Sequence, residues 1–585
     1  MENYQKYDLQ TLKRVIRLAD PFKSLFYGCL ILGLIMAPVT AFRPYLIKVI
    51  VDDNIWQQDL EGLQLNAMFY IGLTLLAFIL RYLFIYYTAI LGQAVIRDFR
   101  AKVFKYFTRL NLSFFDTTPI GTNVTRTIND IEAVNKIFKQ GSLTIIADIL
   151  SVFMILMMMF YTSWRLTMIF LITVPIMMIA SYVFKEKVKI AYEKVRTQIS
   201  EMNAFLQERI TGMRVIQIFN AEESEMKKFN SINGKYRQAN LDSILYYAVF
   251  FPVVELINAL ALALLIYLGT RGIWNGTISV GAIVAFPIFL SRIFRPIRML
   301  ADKFNELQMG LVAAGKVFKV LDNPSVIPDD GTYEPTKLEG EVVFENVEFA
   351  YDEGNDVIRD ISFTLNRGET LAIVGSTGSG KTTIINLLNR FYETQRGSIK
   401  IDGRDIKDYK LHALRNRISI VLQDVFLFNG TVMENITLRD DKISRETVLH
   451  AAQQIGTHTY IEDLPDQYEF MITERGSNLS MGQRQLISFV RALVFDPDIL
   501  ILDEATSSVD TETEATIQYA IEKLIDKRTS IIIAHRLSTI RHADQILVME
   551  NGKIAEIGTH SELLQNVDGK YKELYELQFS DELVA

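Results

Sequence analysis

Apolar and polar positions divide this chain into two parts with different periods. Over roughly the first three hundred residues, long uncharged stretches recur, whereas the remainder alternates short strand-like runs with helical ones. Six stretches can cross a ~30 Å hydrocarbon layer, which takes roughly 20 helical residues. They lie near 24–50, 66–91, 142–161, 165–184, 244–268 and 274–296, with "ILSVFMILMMMF" and "LTMIFLITVPIMMIA" the clearest. Arg43, Pro44 and Lys48 interrupt the first, which suits a helix lining a cavity or bundle interior better than one facing lipid.

Basic residues orient these spans. Segment 51–65 carries Asp52, Asp53, Asp59 and Glu61 but no Lys or Arg, whereas 92–142 holds Arg97, Arg100, Lys102, Lys105, Arg109, Arg126, Lys136 and Lys139. The positive-inside rule therefore puts the latter, both termini and the polar part in the cytoplasm. Each of the two inner connections allows about 25 residues out and 25 back, or about 37 Å of helix each way. Turns are expected near Asp116–Gly121 and near Gly212. Apolar residues at these tips, Phe114, Phe115, Ile210, Val215 and Ile218, need a covering partner unless the hairpins are merely solvated.

Length and charge narrow the picture. A chain of 585 residues suggests two or more domains, and a net charge of −7 disfavours nucleic acid as a partner. Cys29 is the only cysteine, which excludes an intramolecular disulfide framework or a cysteine-rich metal site. The first hydrophobic segment is too long for the core of a signal peptide and lacks a small-residue cleavage site.

Past the linker "LDNPSVIPDDGTYEPTKLEG", "EVVFENVEFAY" alternates like a half-buried strand. "TLAIVGSTGSGKTTIINLL" then reads as buried strand, glycine loop and helix. Its G-x-x-x-x-G-K-T comprises Gly375, Gly380, Lys381 and Thr382, with a further Gly378. Glycines leave room for phosphate oxygens to meet backbone N–H groups at a helix amino terminus; Lys381 can reach the β and γ phosphates and the Thr382 hydroxyl can bind Mg2+. "DILILDEATSSVD" supplies a second apolar strand ending in Asp503, suited to orient Mg2+, and Glu504, suited to act as general base on water. "TSIIIAH" ends at His535. Alone, His535 reads as an ordinary strand end; three strands ending in phosphate-competent side chains form one site at the carboxyl edge of a parallel sheet.

In "NLSMGQRQLISF", Ser480 followed by Gln483 is a capping box before an apolar helical run. Local pattern does not decide whether this helix start also meets phosphate.

The order of motifs resembles the ABC transporter family, specifically exporters that fuse six membrane helices to one ATPase domain, such as lipid A flippases and bacterial multidrug exporters. Tyr351 matches the aromatic that stacks on adenine, "GSTGSGKT" (Gly375, Ser376, Thr377, Gly378, Ser379, Gly380, Lys381, Thr382, followed by Thr383) the Walker A loop, and Gln423 in "VLQDVFLF" the Q-loop. "LSMGQ", with Ser480, Gly482 and Gln483, matches the signature, "ILILDE" Walker B, "SSVD" the D-loop ending at Asp510, and His535 the switch histidine. "FFDTTPIGTNVTRTINDIEAV" and "ERITGMRVIQIFNAEESEMKKF" are similar to the exporters' two intracellular loops.

The resemblance implies an α-helical six-span transmembrane domain, 1–320, with two long intracellular helical loops. A linker, 321–340, and an α/β P-loop NTPase domain, 341–579, with a mostly parallel sheet and a helical subdomain would follow. It implies ATP and Mg2+ as cofactors, with Gln423 also facing the metal and contributing to catalysis. It further implies a half-transporter in the cytoplasmic membrane that needs a second copy, homodimer favoured over heterodimer, so that the signature of one covers the ATP of the other. The cargo class would be a hydrophobic or amphipathic compound. A cargo-free regulator or an importer half are the competing readings; intact hydrolytic residues oppose the first and the fused architecture the second.

Two positions depart or stand out. Met481 replaces the usual signature glycine; a side chain there is costly only if the backbone needs φ > 0, and tolerance is favoured. Glu255 lies within the fifth span, where it either contacts a cationic or amphipathic cargo or pairs with Arg43, Arg81 or Arg292. Met157 to Met159 and Tyr82, Phe84, Tyr86 and Tyr87 read as packing and lipid-facing surface.

Overall fold

Asp59, Ser163 and Ser279 each precede an apolar run, and each side chain accepts a hydrogen bond from the amide three residues on: Gly62, Leu166 and Ala282. These caps start the helices Leu60–Phe107, Trp164–Thr211 and Val280–Leu321. The computed structural model describes residues 9–352, 354–503, 511–534 and 540–579, apart from the side chains of 140–142, 295–302, 304–305, 511–513 and 577–579. Two compact units emerge, Met1–Thr108 with Ile120–Asn323, and Arg109–Pro119 with Pro324–Ala585.

Among the described residues of the first unit, five helical segments are long and apolar enough to cross a membrane: Asp20–Ile55, Leu60–Phe107, Ile120–Thr162, Trp164–Thr211 and Glu222–Trp274. A shorter apolar stretch, Val280–Phe294, opens the helix Val280–Leu321. The start at 274 read from the sequence is corrected here. The preceding helix ends at Trp274, Gly276 turns the chain at φ +65°, and the Ser279 cap delays the next helix to Val280. Leu60–Phe107 and Trp164–Thr211 have 48 residues each, about 72 Å at 1.5 Å per residue, far more than the hydrocarbon layer needs. The turns expected near Asp116–Gly121 and Gly212 are found: the short helices Leu112–Thr117 and Met213–Ile218 sit at them. Phe170, Phe286, Phe289, Phe294, Met159 and Leu265 belong to the core of this unit.

Glu255 is exposed, and among the described residues it pairs with none of Arg43, Arg81 and Arg292. The internal ion pair considered from the sequence is therefore not formed within the chain.

Among its described residues the second unit holds twelve strands: β1 Val342–Ala350, β2 Asp356–Leu365, β3 Thr370–Gly375, β4 Arg396–Ile401, β5 Arg404–Asp405, β6 Ile418–Val421, β7 Gly430–Thr431, β8 Met471–Ile472, β9 Ile499–Asp503, β10 Thr529–Ile533, β11 Gln545–Glu550 and β12 Lys553–Gly558. A sheet in the order β2-β1-β4-β5 is antiparallel throughout. A six-stranded sheet, β12-β11-β3-β10-β9-β6, is parallel except at β12, and β7 pairs with β8. Residues of β3, β9 and β10 are buried on both faces, which is why these strands read as continuous apolar runs.

Alternation splits their side chains between two cores. Leu371, Ile373, Ile501 and Ile531 pack with the helix Lys381–Leu388 and the antiparallel sheet, whereas Ala372, Val374, Leu502 and Ile532 pack with the helix Met481–Val494 and its helical neighbours. The two helices therefore cover opposite faces of the parallel sheet.

Close packing in the membrane unit makes one glycine critical. A Cβ at Gly281 would stand 2.4 Å from the Lys48 carbonyl oxygen, and the Gly281 amide donates to Asp52 Oδ1 at 2.7 Å. Gly281→Ala should cost about 1–3 kcal/mol and lower the unfolding midpoint in detergent. Gly28→Ala, with no atom within 4 Å of the added Cβ, should be neutral or stabilising in the same thermal melt.

Candidate functional site

The phosphate-competent loop follows from its strand. Fully buried β3 leads into Gly375, and the loop to Gly380 turns back into the helix Lys381–Leu388. Gly378 and Gly380 have φ of +82° and +105°, values that L side chains rarely adopt. Beyond Gly378 there is open space within 4 Å of an added Cβ, whereas at Gly380 a Cβ would lie 2.8 Å from Ile358 Cδ1. Ser376, Thr377 and Thr382 are exposed, and Thr383 is buried. Ser379 is buried, and its hydroxyl is without a hydrogen-bond partner.

Lys381 is only 8% exposed. Its Nζ donates to the carbonyls of Gly375 at 2.7 Å and Ser376 at 3.0 Å, so the cation ties the loop across its own mouth. Burial holds the Lys381 pKa below its usual value, and the Asp503 charge opposes that shift. Burial likewise raises Asp503 above the usual carboxyl range, with Lys381 opposing. The two groups thus sense each other at the carboxyl end of the sheet. Strand register explains this: Ile533 of β10 lies opposite both Ile373 of β3 and Asp503 of β9, and Val421 of β6 lies opposite Leu502. Gln423, two residues past β6, is exposed at the same edge.

Tyr351 leaves β1 with its ring 45% exposed. Its hydroxyl lies 3.2 Å from Thr383 Oγ1 and accepts from Asn386 Nδ2 at 3.4 Å, tying it to the loop helix. Three side chains unmarked by sequence reasoning hold it. Gln395 clips the preceding residue, accepting from the Ala350 amide at 2.7 Å and donating to its carbonyl at 3.0 Å. Phe349 and Tyr392 stand edge-on to Tyr351 at 4.9 and 5.0 Å between ring centres. The Tyr392 hydroxyl donates to Asp116, on the short helix Leu112–Thr117. Burial, then that carboxylate, raise the Tyr392 pKa, so the phenol stays protonated and remains a donor. This link joins residues 276 apart in sequence, which is why no local pattern announced it.

Ser480 caps the helix Met481–Val494 by a capping box: the Ser480 amide donates to Gln483 Oε1 at 2.7 Å and the Gln483 amide to Ser480 Oγ at 3.3 Å. Gly482 is buried in the first turn, and Ser480 is exposed. Met481 is the first helical residue and has no positive φ, so a side chain there strains nothing; it is 44% exposed. The helix packs on Val432–Thr437, Arg445–Gln454, Thr511–Ile525 and β6, away from Lys381–Leu388.

Arg491 is a fourth residue that sequence reasoning passed over. Its Nε donates to the Asn435 carbonyl at 2.8 Å and its Nη1 to the Phe426 carbonyl at 3.2 Å, fastening the stretch after Gln423 to the capped helix. Burial lowers its pKa to about 10. A lone charge inside "SFVRALV" was the available signal. Glu504, Asp510 and His535 lie outside the described residues.

These features fit a nucleoside triphosphate. The open Gly378, a buried hydroxyl unsatisfied among the described residues and a buried ammonium meet at one helix start. A hydroxyl, an amide and one carboxylate, from Thr382, Gln423 and Asp503, fit a hard cation such as Mg2+, which keeps several waters when bound beside phosphate.

Comparison with known proteins agrees. Residues 26–297 match the ABC transporter transmembrane region and residues 358–507 the ABC transporter ATPase family. The ABC transporter ATP-binding protein YknV of Bacillus subtilis is 42% identical over 549 residues, spanning 94% of this chain and 91% of that protein. The ATP-dependent lipid A-core flippase of Syntrophus aciditrophicus is 34% identical across 100% of this chain and 97% of its own. A bacterial Atm1-family ABC exporter solved with ATP bound has a TM-score of 0.77 at 28% identity, covering 95% of this chain and 98% of that one. With its transmembrane region and ATPase on one polypeptide, the chain belongs to the ABC transporter family, as a half-transporter of the exporter type.

Proposed function

We propose that two copies of this chain form an exporter in the cytoplasmic membrane that uses ATP and Mg2+ to move a hydrophobic or amphipathic compound out of the cytoplasm. Each copy contributes six spans, with both termini and the ATPase on the cytoplasmic side, as the excess of Lys and Arg in the inner connections requires. The observation that carries the dimer is the sheet geometry: the capped helix at Ser480 and the loop helix at Lys381 cover opposite faces of one sheet. A second copy arranged head to tail brings the Ser480 hydroxyl, the Gly482 amide and Gln483 to the phosphates on Lys381, with Asp510 at the same seam. The second cytoplasmic tip supports this reading. Ile210, Val215, Ile218 and Phe219 are 59 to 75% exposed, an apolar patch that calls for a partner's cover.

Tyr351 stacks on the adenine, and the loop from Gly375 to Thr383 cradles the phosphates through backbone amides, with Lys381 neutralising charge. Thr382, Asp503 and Gln423 hold the Mg2+ that, when bound, neutralises phosphate charge. Glu504 accepts the proton of the attacking water, His535 contacts the γ-phosphate, and Gln423 orients the site from the β6 end. Closing two such sites must shift an inward-facing to an outward-facing state. Moving that balance from 1:99 to 99:1 requires about 5.5 kcal/mol of differential binding, which contacts from both copies supply. Tyr351, Tyr392 and Asp116 form one chain of contacts within the ATPase unit, and the short helix bearing Asp116 follows Leu60–Phe107 in sequence.

Cargo-stimulated ATPase and cargo movement in vesicles test the function. Lys381→Ala and Glu504→Gln should each reduce ATP turnover by about 100-fold or more and abolish movement; vesicles that move no amphiphile with the unsubstituted chain would contradict export. Met481→Gly removes a side chain from an unstrained helical position at about 1 kcal/mol of helix propensity, so turnover should change less than about threefold. Tyr392→Phe keeps the ring and deletes a hydrogen bond of about 1 kcal/mol. It should leave ATP binding nearly unchanged while lowering cargo stimulation severalfold, measured by nucleotide titration and ATPase assay on the same preparation.

A further inference from the structure

The first membrane helix carries Pro44, which has no amide hydrogen to give the Thr40 carbonyl four residues earlier. Arg292, from the helix Val280–Leu321, takes over that role: its Nη1 donates to Thr40 O at 3.0 Å. This seats a second guanidinium on the carbonyl of Thr40, within one helical turn of Arg43, the residue before Pro44. Arg43 Nε is buried without a hydrogen-bond partner among the described residues, and the guanidinium lies 5.5 Å from the centre of the Tyr70 ring.

Lysines elsewhere on the same two helices do find counter-ions. Lys48 pairs with Asp52 at 3.6 Å, and Lys303 pairs with Asp148. Among the described residues no carboxylate pairs with Arg43 or Arg292, and Glu255 does not serve. Two like charges on neighbouring helices, with no carboxylate paired to either among the described residues, are expensive in hydrocarbon and mark a place where an anion is expected.

The first helix and the helix of Tyr70 also line a crevice of about 280 Å³ whose lining is entirely apolar, including Pro38, Phe42, Leu73, Met154, Met157 and Met158. Phe42 adjoins Arg43 in sequence, and Leu73 lies one helical turn from Tyr70. Unbranched thioethers adapt to chains of varied shape. A cationic pair and an apolar groove that share the first helix are complementary to one kind of molecule. We propose that Arg43 and Arg292 bind the anionic head group of a single-chain amphiphile whose tail enters the Pro38–Met158 crevice, and that this is the cargo class.

The proposal rests on the export reading. Full-length protein in phosphatidylcholine nanodiscs and vesicles is given dodecyl phosphate, dodecyltrimethylammonium or dodecyl maltoside, and ATPase stimulation and movement are recorded. Dodecyl phosphate should stimulate at the lowest concentration and be moved. In Arg43→Gln/Arg292→Gln its half-maximal concentration should rise about tenfold or more, while that for dodecyl maltoside shifts less than about twofold. Arg43→Lys/Arg292→Lys, which keeps both charges, should recover most of the loss and guards against misfolding of the Gln variant. Equal losses for all three amphiphiles, or an unchanged response to dodecyl phosphate, would overturn the anionic site while leaving export standing. Stimulation by dodecyl phosphate without movement would make it a resident ligand and overturn the cargo assignment. Movement of no amphiphile at all would overturn both readings.

Discussion

One buried ammonium organises the ATPase unit. Lys381 reaches back over its own loop to the carbonyls of Gly375 and Ser376, and this fixes where phosphate must arrive. A lysine so buried is tolerable because two carbonyls and the Asp503 charge replace the water it lost. The sheet supplies that carboxylate by register, since β10 sets Ile373 and Asp503 opposite the same residue. Tyr351, just past β1, is fastened by Gln395 and the aromatic pair beside the loop helix, where we propose that it meets the adenine. The same aromatic group carries the hydrogen bond to Asp116, so Tyr351 and the short helix Leu112–Thr117 share one contiguous contact network.

The stretch "NLSMGQRQ" acquires its meaning from the same geometry. Its capping box satisfies amides locally, yet Ser480 is left exposed at a helix amino terminus that packs on the other core. A helix start aimed outward is of little use to the chain that bears it and of direct use to a second chain. Met481 fits this arrangement without strain because the position is ordinary helix.

Much of this was legible in the sequence. Buried parallel strands show as continuous apolar runs, and the glycine loop, Asp503 and the capping box are local patterns whose chemistry depends on spacing alone. Caps at Asp59 and Ser163 preceded the helices that the apolar pattern predicted, whereas Gly276 and Ser279 moved the start of the sixth. What stayed hidden depends on the meeting of distant residues. Tyr392 and Asp116 are 276 residues apart, and Arg292 and Thr40 are 252. The sequence offered Glu255 as a partner for the arginines; the fold instead gives Arg292 a carbonyl freed by proline.

The central claim is that the site on one chain is completed by the Ser480 end of another. A Cys29→Ala chain carrying Thr377→Cys and Met481→Cys, together with Glu504→Gln to retain ATP, tests it most directly by disulfide trapping in the membrane. The account predicts an ATP-dependent covalent pair of twice the chain mass, absent from either single-cysteine chain. A bond formed only within one chain, or a yield indifferent to ATP, would contradict it.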